Sequence, residues 1–544
     1  MSESAGGAVD LPTRRGVLIV LAAGQFLMTL DTSVMNVSIR QVAADIGTTV
    51  TGIQTAITLY TLVMASFMIT GGTIGSRIGR RRAFAVGLVI YGAGSLTTAL
   101  APNLGVLIFG WSILEGLGAA LILPAIVALV AGNVARERRA AAYGMVAAAS
   151  AIAVAVGPLI GGAMTTFASW RWVFAGEVLV VIVILLSLRT VRDAPPQPAG
   201  RFDLLGAGLS IVGLSLTVYG ILRSGEWGWV QAKPGAPEVL GTSPVVWLVS
   251  AGLLVIFSFV VWEARLVKKG RTPLVDPAIL RVRQLDSGLS MFFFQYFVQA
   301  GVFFVIPLFL SVVLELSALQ TGVRIVPLSI ALLLAAVGIP RLAPRARPRL
   351  VVRLGLLAMI GGTLVLIGGI DPGADAGIVF VPMVLLGLGI GALASQLGAV
   401  TVSSVDDSRS TEVGGLQNTV TNLGASIGTA LVGAVLISSL TAGLAHGIST
   451  NAALPTEFRA QASTYLSNGV SFVSDSDLRR ELDQASVPSS TAEEVVNENR
   501  AARLGALRDA LAIVVIMAIA ALFFTGSLPT RAIGREPEEH ATPS

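Results

Sequence analysis

The chain has 544 residues, 54% hydrophobic and 13% charged, with a net charge of +5 and a mean hydropathy of +0.79. That balance leaves too little polar surface to cover a water-soluble core, so the expected fold class is an all-α polytopic membrane protein. Cys 0 excludes disulfides, thiolate metal sites and cysteine nucleophiles. The sequence pI of about 9.9 would point to nucleic acid in a soluble protein, but basic residues lying between apolar runs orient a membrane chain, and no nucleic-acid partner is expected.

Apolar runs of bilayer-crossing length fall at 16–38, 51–75, 83–101, 104–131, 140–165, 170–189, 203–222, 244–264, 286–313, 321–339, 351–370, 377–400, 413–440 and 504–526. This predicts about 14 transmembrane helices in a chain embedded among membrane lipids. It divides into a tail 1–15, a six-helix bundle with linker 16–201, two added helices with a loop 202–284, and five helices of a second bundle 285–440. A large segment 441–503, a last helix 504–526 and a tail 527–544 complete it. The prolines and charges of RDAPPQPAGRFD, 192–203, mark the linker between bundles. With both termini cytoplasmic, most of the 37 Lys and Arg lie inside and 441–503 lies outside. The mixed charges of that segment read as an external cap with short helices.

In chain order, the first polar intrusion is Asp31, inside span one and without a basic residue near it in sequence. Inserting such a charge costs about 2.5–3.5 kcal/mol, and desolvation disfavours the charged form, so the position can take up a proton on one side of the membrane and release it on the other. Asn36 in the same span is a cavity candidate. Arg77, Arg80, Arg81 and Arg82 sit at the cytoplasmic mouth, where guanidinium groups bond helix C-terminal carbonyls and carboxylates of the other bundle, a gate latch. Glu115 in span four and Glu177 in span six are further protonation candidates, Glu177 in a wetter place near the external end. If they approach Asp31, the acids titrate as a group.

Span five, AAYGMVAAASAIAVAVGPLIGGAMT, carries Gly144, Gly157, Pro158, Gly161 and Gly162. Small residues permit close helix approach and proline breaks the hydrogen-bond ladder, which suits a moving seam. Gly144, Ala153 and Gly157 share their spacing with Gly415, Gly424 and Gly428 in span thirteen, and Gly162 with Gly433, which predicts an internal repeat of a rocking transporter. In span nine, Gln295 and Gln299 lie on one face among phenylalanines. The amides suit an amphipathic organic ligand, whereas the phenylalanines are expected mainly to pack toward lipid. Gln417, Asn418 and Asn422 are polar-cavity candidates in span thirteen.

Several of these segments resemble the major facilitator superfamily, specifically its fourteen-span drug:proton antiporter branch. GGTIGSRIGRRRAF, 71–84, is similar to the superfamily loop signature through Gly72, Arg77, Gly79, Arg80 and Arg81. Gly144, Gly157, Pro158, Gly161 and Gly162 are similar to the antiporter motif, LDTSVMNVSI, 30–39, to the first-span motif, and SWRWVF, 169–174, to the entrance of span six. The sequence departs from the pattern at Ser76 for aspartate, Ser112 for arginine, Glu115 for glutamine, and Glu177 and Leu179 for asparagine and proline. The loss of acid at Ser76 implies a weaker closed-inside state.

The resemblance implies two six-helix bundles plus two inserted helices, alternating access, and export of amphipathic organic compounds against protons in the cell membrane. The partners are then a small-molecule substrate and protons. Rivals on the same fold are a dedicated metabolite or lipid exporter and a proton-coupled uptake symporter; a non-transporting membrane receptor is remote. No catalytic triad, nucleotide motif or metal-ligand spacing appears, so no enzyme activity, cofactor or metal is expected.

Overall fold

The computed structural model describes residues 15–134, 139–193, 203–233, 235–271, 273–343, 345–371, 375–405, 410–456, 459 and 470–530. With no water in a bilayer core to satisfy the backbone, apolar stretches close their hydrogen bonds internally as helices. The first half holds α1 (Arg15–Asp45), α2 (Val50–Ile78) and α3 (Arg80–Ala99). In α4, Leu104–Leu107 continues through a π-helical turn, Ile108–Glu115, into Gly116–Asn133; α5 (Arg139–Phe167) and α6 (Arg171–Ser187) follow. Next come α7 (Leu204–Trp227) and α8 (Pro244–Lys268). The second half holds α9 (Arg283–Leu308, with a π turn at Phe309–Val313), α10 (Ala318–Leu342), α11 (Pro348–Gly369), α12 (Phe380–Val402) and α13 (Ser410–Thr450). The short α14 (Asp475–Gln484) and the long α15 (Ser489–Phe524) end the described chain.

Among the described residues, thirteen helices are long and apolar enough to cross a membrane. The remaining long helix, α3, starts with Arg80, Arg81 and Arg82 and carries Gly, Ser and Thr along its length, which lowers its apolar character; it packs on α4 and α6 and completes the first six. Helix starts carry the expected caps. Thr49 Oγ1 accepts from the Gly52 N–H at 3.1 Å, Asn103 Oδ1 from Val106 at 3.0 Å, and Asp203 Oδ1 from Gly206 at 3.0 Å. Ser317 and Gln320 form a reciprocal capping box at α10.

The internal repeat is visible in the packing. In the first half α1 lies on α5, α4 on both α2 and α3, and α3 on α6; in the second, α9 lies on α13, α12 on both α10 and α11, and α11 on α15. The halves meet reciprocally, α5 against α10 and α13 against α2. The inserted pair rests by α7 on α2 and α13, while α8 packs mainly on α7 and exposes Trp247, Leu253, Leu254 and Phe257, a surface that lipid covers. Helices α13 and α15 run past the expected span ends, to Thr450 and from Ser489, so the connecting segment is shorter than its charge pattern indicated.

One placement differs from expectation. Phe292, Phe294, Phe297 and Phe304 of α9 are buried rather than turned to lipid. Helix α9 is enclosed by α12, α13 and α15, and a helix that is apolar all round belongs in such an interior.

Candidate functional site

Three helices of the first half deliver carboxyl groups to one place. Asp31 comes from the middle of α1, Glu115 from the last residue of the π turn in α4, and Glu177 from the second turn of α6. One oxygen of each lies within 4.8 Å of the other two. Relative exposures of 0%, 0% and 2% show that water does not reach them, so the wetter position expected for Glu177 is corrected: α3 covers it. The wide turn Ile108–Glu115 carries Trp111, Ser112 and Glu115, an arrangement in keeping with the frequent use of π-bulges at functional sites. Gly94 of α3 makes room for it, since a Cβ there would stand 2.6 Å from Glu115 Cγ and 2.7 Å from the Gly110 carbonyl.

The donors around the acids are neutral. Trp111 Nε1 donates to Asp31 Oδ1 at 2.9 Å and Oδ2 at 3.0 Å, and its ring stacks on Tyr60 with centroids 5.0 Å apart. Tyr91 Oη and Ser95 Oγ both donate to Glu177 Oε2 at 3.1 Å, and Thr98 Oγ1 donates to Glu115 Oε1 at 3.2 Å. Glu115 Oε2 and Glu177 Oε1 are left buried without a hydrogen bond, and the buried Tyr60 side chain lies beside Asp31. None of the three acids has an ion-pair partner among the described residues. Three like charges this close in a low dielectric repel strongly, so the cluster is stable only with added positive charge. Sequence spacing showed no metal-ligand pattern, yet folding brings together an all-oxygen cluster that a cation could share.

The other expected site residues fall into separate groups. Gly157 faces Ser33 and Gly161 faces Val34 of α1, with a Cβ at Gly161 only 3.0 Å from Val34 Cα; Gly162 faces α10, where an added Cβ would stand 2.6 Å from the Ala318 carbonyl. Pro158 turns its carbonyl to Gly322 of α10. Hydrogen bonds continue this contact, with Ser329 Oγ donating to the Val154 carbonyl at 2.8 Å and the Leu319 N–H to Thr166 Oγ1 at 3.1 Å. The reciprocal seam joins Gln54 Nε2 to the Thr429 carbonyl at 3.2 Å and Ser426 Oγ to the Thr58 carbonyl at 3.1 Å. The surroundings of Gly144 and Ser76 lie outside the described side chains.

At the opposite end, Gly79 links α2 to α3 with φ +100, a conformation suited to glycine. Arg80 donates to the Ala128 carbonyl of α4 at 3.2 Å, and the Arg81 N–H donates to Asp193 Oδ1 at 3.1 Å. These partners belong to the same half of the molecule. Asp193 places a carboxylate at the N-terminus of α3. Gly72 lies on α2 near Pro124, and Arg77 lies in the last turn of α2. The Ser112 hydroxyl donates to the Ala56 carbonyl at 2.8 Å. In the segment SWRWVF, Trp170 Nε1 donates to Asp45 at 2.9 Å and Arg171 pairs with Asp45 at 3.6 Å, fastening α6 to the end of α1.

Among the polar residues of the seams, Gln295 is buried with its Oε1 unpartnered, and Gln299 is half-buried. Asn36, Asn418 and Asn422 donate to the carbonyls of Thr32, Gly414 and Asn418, each one turn back on its own helix, while Gln417 accepts from Thr401 at 3.3 Å.

The Major Facilitator Superfamily model matches residues 21–429. The chain belongs to this superfamily. It is 31% identical over 456 residues to the puromycin resistance protein pur8 of Streptomyces alboniger, covering 82% of this chain and 87% of that protein. It is 30% identical over 440 residues to the cephamycin export protein CmcT of Amycolatopsis lactamdurans, covering 79% and 87%. Among solved structures, a bacterial homolog of the human lysosomal transporter Spinster, in an inward-facing and unoccupied conformation, superposes with a TM-score of 0.59 at 15% identity, covering 96% and 98%. A D-xylose-proton symporter superposes with a TM-score of 0.58 at 13% identity, covering 95% and 99%. These superpositions carry the fold: a multi-pass membrane protein of two six-helix bundles with an inserted pair.

Proposed function

We propose that this superfamily member is a proton-coupled exporter of amphipathic organic compounds, working by alternating access in the cell membrane with both termini in the cytoplasm. The observation that carries the reading is the enclosed group Asp31–Glu115–Glu177, three acids with neutral donors and, among the described residues, no paired cation, in the half that meets its counterpart through glycine seams. The names of the relatives, resistance to puromycin and export of cephamycin, support export of antibiotic-like molecules.

In this reading a proton taken up from outside neutralises one acid and lowers the cost of moving the cluster through a closed intermediate. Release of that proton to the cytoplasm restores the charge that drives the next exchange. Gly157, Pro158, Gly161 and Gly162, with Gly144 further along α5, are the seam on which the halves rock. Gly72, Arg77, Gly79, Arg80 and Arg81 form the cytoplasmic gate. Asn36, Gln295, Gln299, Gln417, Asn418 and Asn422 supply polar contacts to the substrate. In this reading the bonds between α5 and α10 and between α2 and α13 hold the halves together on the outer side and part when the transporter opens outward.

The test is efflux from proteoliposomes with an imposed pH gradient and a panel of amphipathic antibiotics and dyes. Wild type should accumulate substrate against its gradient, and Asp31→Asn, with unchanged insertion and size-exclusion profile, should lose gradient-driven accumulation. Equal accumulation by the variant, or transport indifferent to the gradient, would end the proposal.

A further inference from the structure

The two seams between the halves differ in what lies over them. Along α5–α10, Leu159 and Met164 of α5 and Val323 and Ile330 of α10 are exposed, and no further helix covers them among the described residues. Over α2–α13 lies the inserted pair: Leu214 and Val218 of α7 pack with Leu59 and Leu62 of α2 and with Leu423 and Ile427 of α13. A cover that touches both halves cannot keep both contacts while the halves separate. One contact has to hold and the other has to slide, as packed helices do in shear motions.

The side toward the second half is fastened at both ends of the pair. At one end, Lys233 Nζ, just beyond α7, donates to the Gly225 carbonyl at 2.7 Å and to Ser438 Oγ of α13 at 3.4 Å. Gly225 lies so close to α13 that an added Cβ would stand 3.0 Å from Ala434 Cα. At the other end, Glu263 of α8 is 0% exposed and accepts from the Leu274 N–H at 2.7 Å and the Val275 N–H at 3.4 Å, which folds the next segment back onto α8. Val275 and Ile279 of that segment pack with Leu285 and Leu289 of α9 and with Val413 and Leu416 of α13. The side toward the first half is of another kind. Ile69 of α2 touches this lower group, Leu59 and Leu62 touch α7, and no hydrogen bond or ion pair joins α7 or α8 to α2 among the described residues. Apolar contact is non-directional and survives a shift of register, whereas hydrogen bonds to fixed partners do not.

We propose that α7 and α8 travel as one body with the second half and slide along α2, a moving cover that keeps lipid out of the α2–α13 seam as it opens. The inference rests on the reading of the chain as an alternating-access exporter. The sequence contains no cysteine, so paired cysteines can bridge either contact in the full-length protein. Gly225→Cys with Ala434→Cys ties α7 to α13; a Cβ at Gly225 would stand 3.3 Å from Ala434 Cβ, near the ~3.5–4.5 Å of a disulfide. Leu62→Cys with Leu214→Cys, joined by a short membrane-permeant bifunctional thiol reagent, ties α7 to α2. In proteoliposomes the bridge to α13 should leave efflux at the level of the reduced protein. The bridge to α2 should abolish efflux, and reduction should restore it.

Spin labels at three exposed positions, Ala44 in the first half, Ala442 in the second and Ser250 on α8, give a measurement that disturbs neither packed contact. Under conditions of pH and substrate that lengthen the Ala44–Ala442 distance, Ser250–Ala44 should change with it and Ser250–Ala442 should hold. Loss of efflux on bridging α7 to α13, full efflux with α7 bridged to α2, or a constant Ser250–Ala44 distance beside a changing Ser250–Ala442 distance would overturn the assignment. An Ala44–Ala442 distance that stays fixed under every condition would instead remove the alternating-access reading, a failure distinct from a pair that follows the other half.

Discussion

At the scale of single residues, the site is an exercise in balancing buried charge with neutral donors. Trp111 donates to both oxygens of Asp31, and it reaches Asp31 from a π turn while stacking on Tyr60. Trp111→Phe keeps the apolar ring and removes the donor. A buried acceptor left unsatisfied costs about 1–3 kcal/mol, so the variant should melt at lower temperature than wild type. In an Asp31→Asn background the same change should cost less, since the charge that the indole serves is gone, and the coupling in a thermal double-mutant cycle should be about 0.5–3 kcal/mol. Additive effects of the two substitutions would show that the contact is incidental. The acids themselves were legible in the sequence because ionisable residues are costly within apolar spans. Their convergence was not, since it depends on the facing of α1, α4 and α6 and on a π turn whose sequence IFGWSILE has no helical-period signature. Tyr91, Ser95 and Thr98 were equally hidden: short polar residues in α3 look like ordinary span residues until Glu177 and Glu115 lie against them.

At the scale of helices, the glycine spacing foresaw the repeat. The structure gives its register: Gly157 faces Ser33 on α1 and Gly428 faces Phe297 on α9, so that two residues earlier Asp31 corresponds to Gln295. A buried amide thus stands in the second half where the first has an acid, which confines the charged cluster to one half. The gating partners were less legible. The arginine cluster was expected to reach across to the other bundle; Arg80 and the Arg81 N–H bond Ala128 and Asp193 in their own half, and the halves touch through the α5–α10 and α2–α13 seams. Gly322 tests that geometry. A Cβ there would collide with the Pro158 carbonyl, backbone that cannot move aside as a flexible side chain would. Gly322→Ala should therefore open the α5–α10 seam and shift the population toward the outward-open state. The natural chain has Cys 0, so a single cysteine at Ser329, which is 0% exposed in the seam, reports directly. Its labelling by a membrane-impermeant thiol reagent added outside should accelerate in the Gly322→Ala background. An unchanged labelling rate with normal folding would mean that the seam tolerates the methyl group and does not control access.

At the scale of the whole molecule, the segment carrying α14 joins parts that alternating access must separate. Arg40 at the end of α1 donates to the Ser311 carbonyl of the second half at 2.8 Å and pairs with Asp477 of α14 at 3.3 Å. On the other side of α14, Asp475 pairs with Arg500 and with Arg503 of α15, whose side chain is 1% exposed. Arg503 also donates to the Val473 carbonyl at 2.6 Å, and Glu315 accepts from the Ser476 N–H at 3.1 Å. Removing one member of a buried ion pair costs more than the pair contributes, because the remaining charge loses its compensation. Asp475→Asn should lower stability by up to about 3–5 kcal/mol, less whatever solvent reaches the partly exposed carboxylate, and should speed hydrogen exchange across α14. Asp477→Asn acts on a half-exposed contact and should loosen α14 with little loss of global stability. Partial burial opposes ionisation of Asp477, but the Ser474 hydroxyl and the Arg40 and Arg480 guanidiniums outweigh it and hold its carboxyl below the ordinary range. Glu315 is held low in the same way, by the Ser476 N–H and hydroxyl, Ser474 and Arg40 against its own burial. For groups depressed in this way the stabilisation is complete above their unfolded values and is lost only as pH falls through the lower folded ones. Protection of the α14 amides should therefore stay constant from neutral to mildly acidic pH and fall in strong acid, earlier in Asp477→Asn. A loss of protection near neutral pH in wild type would mean that other groups fasten the segment, and that the outer closure yields to the proton gradient itself.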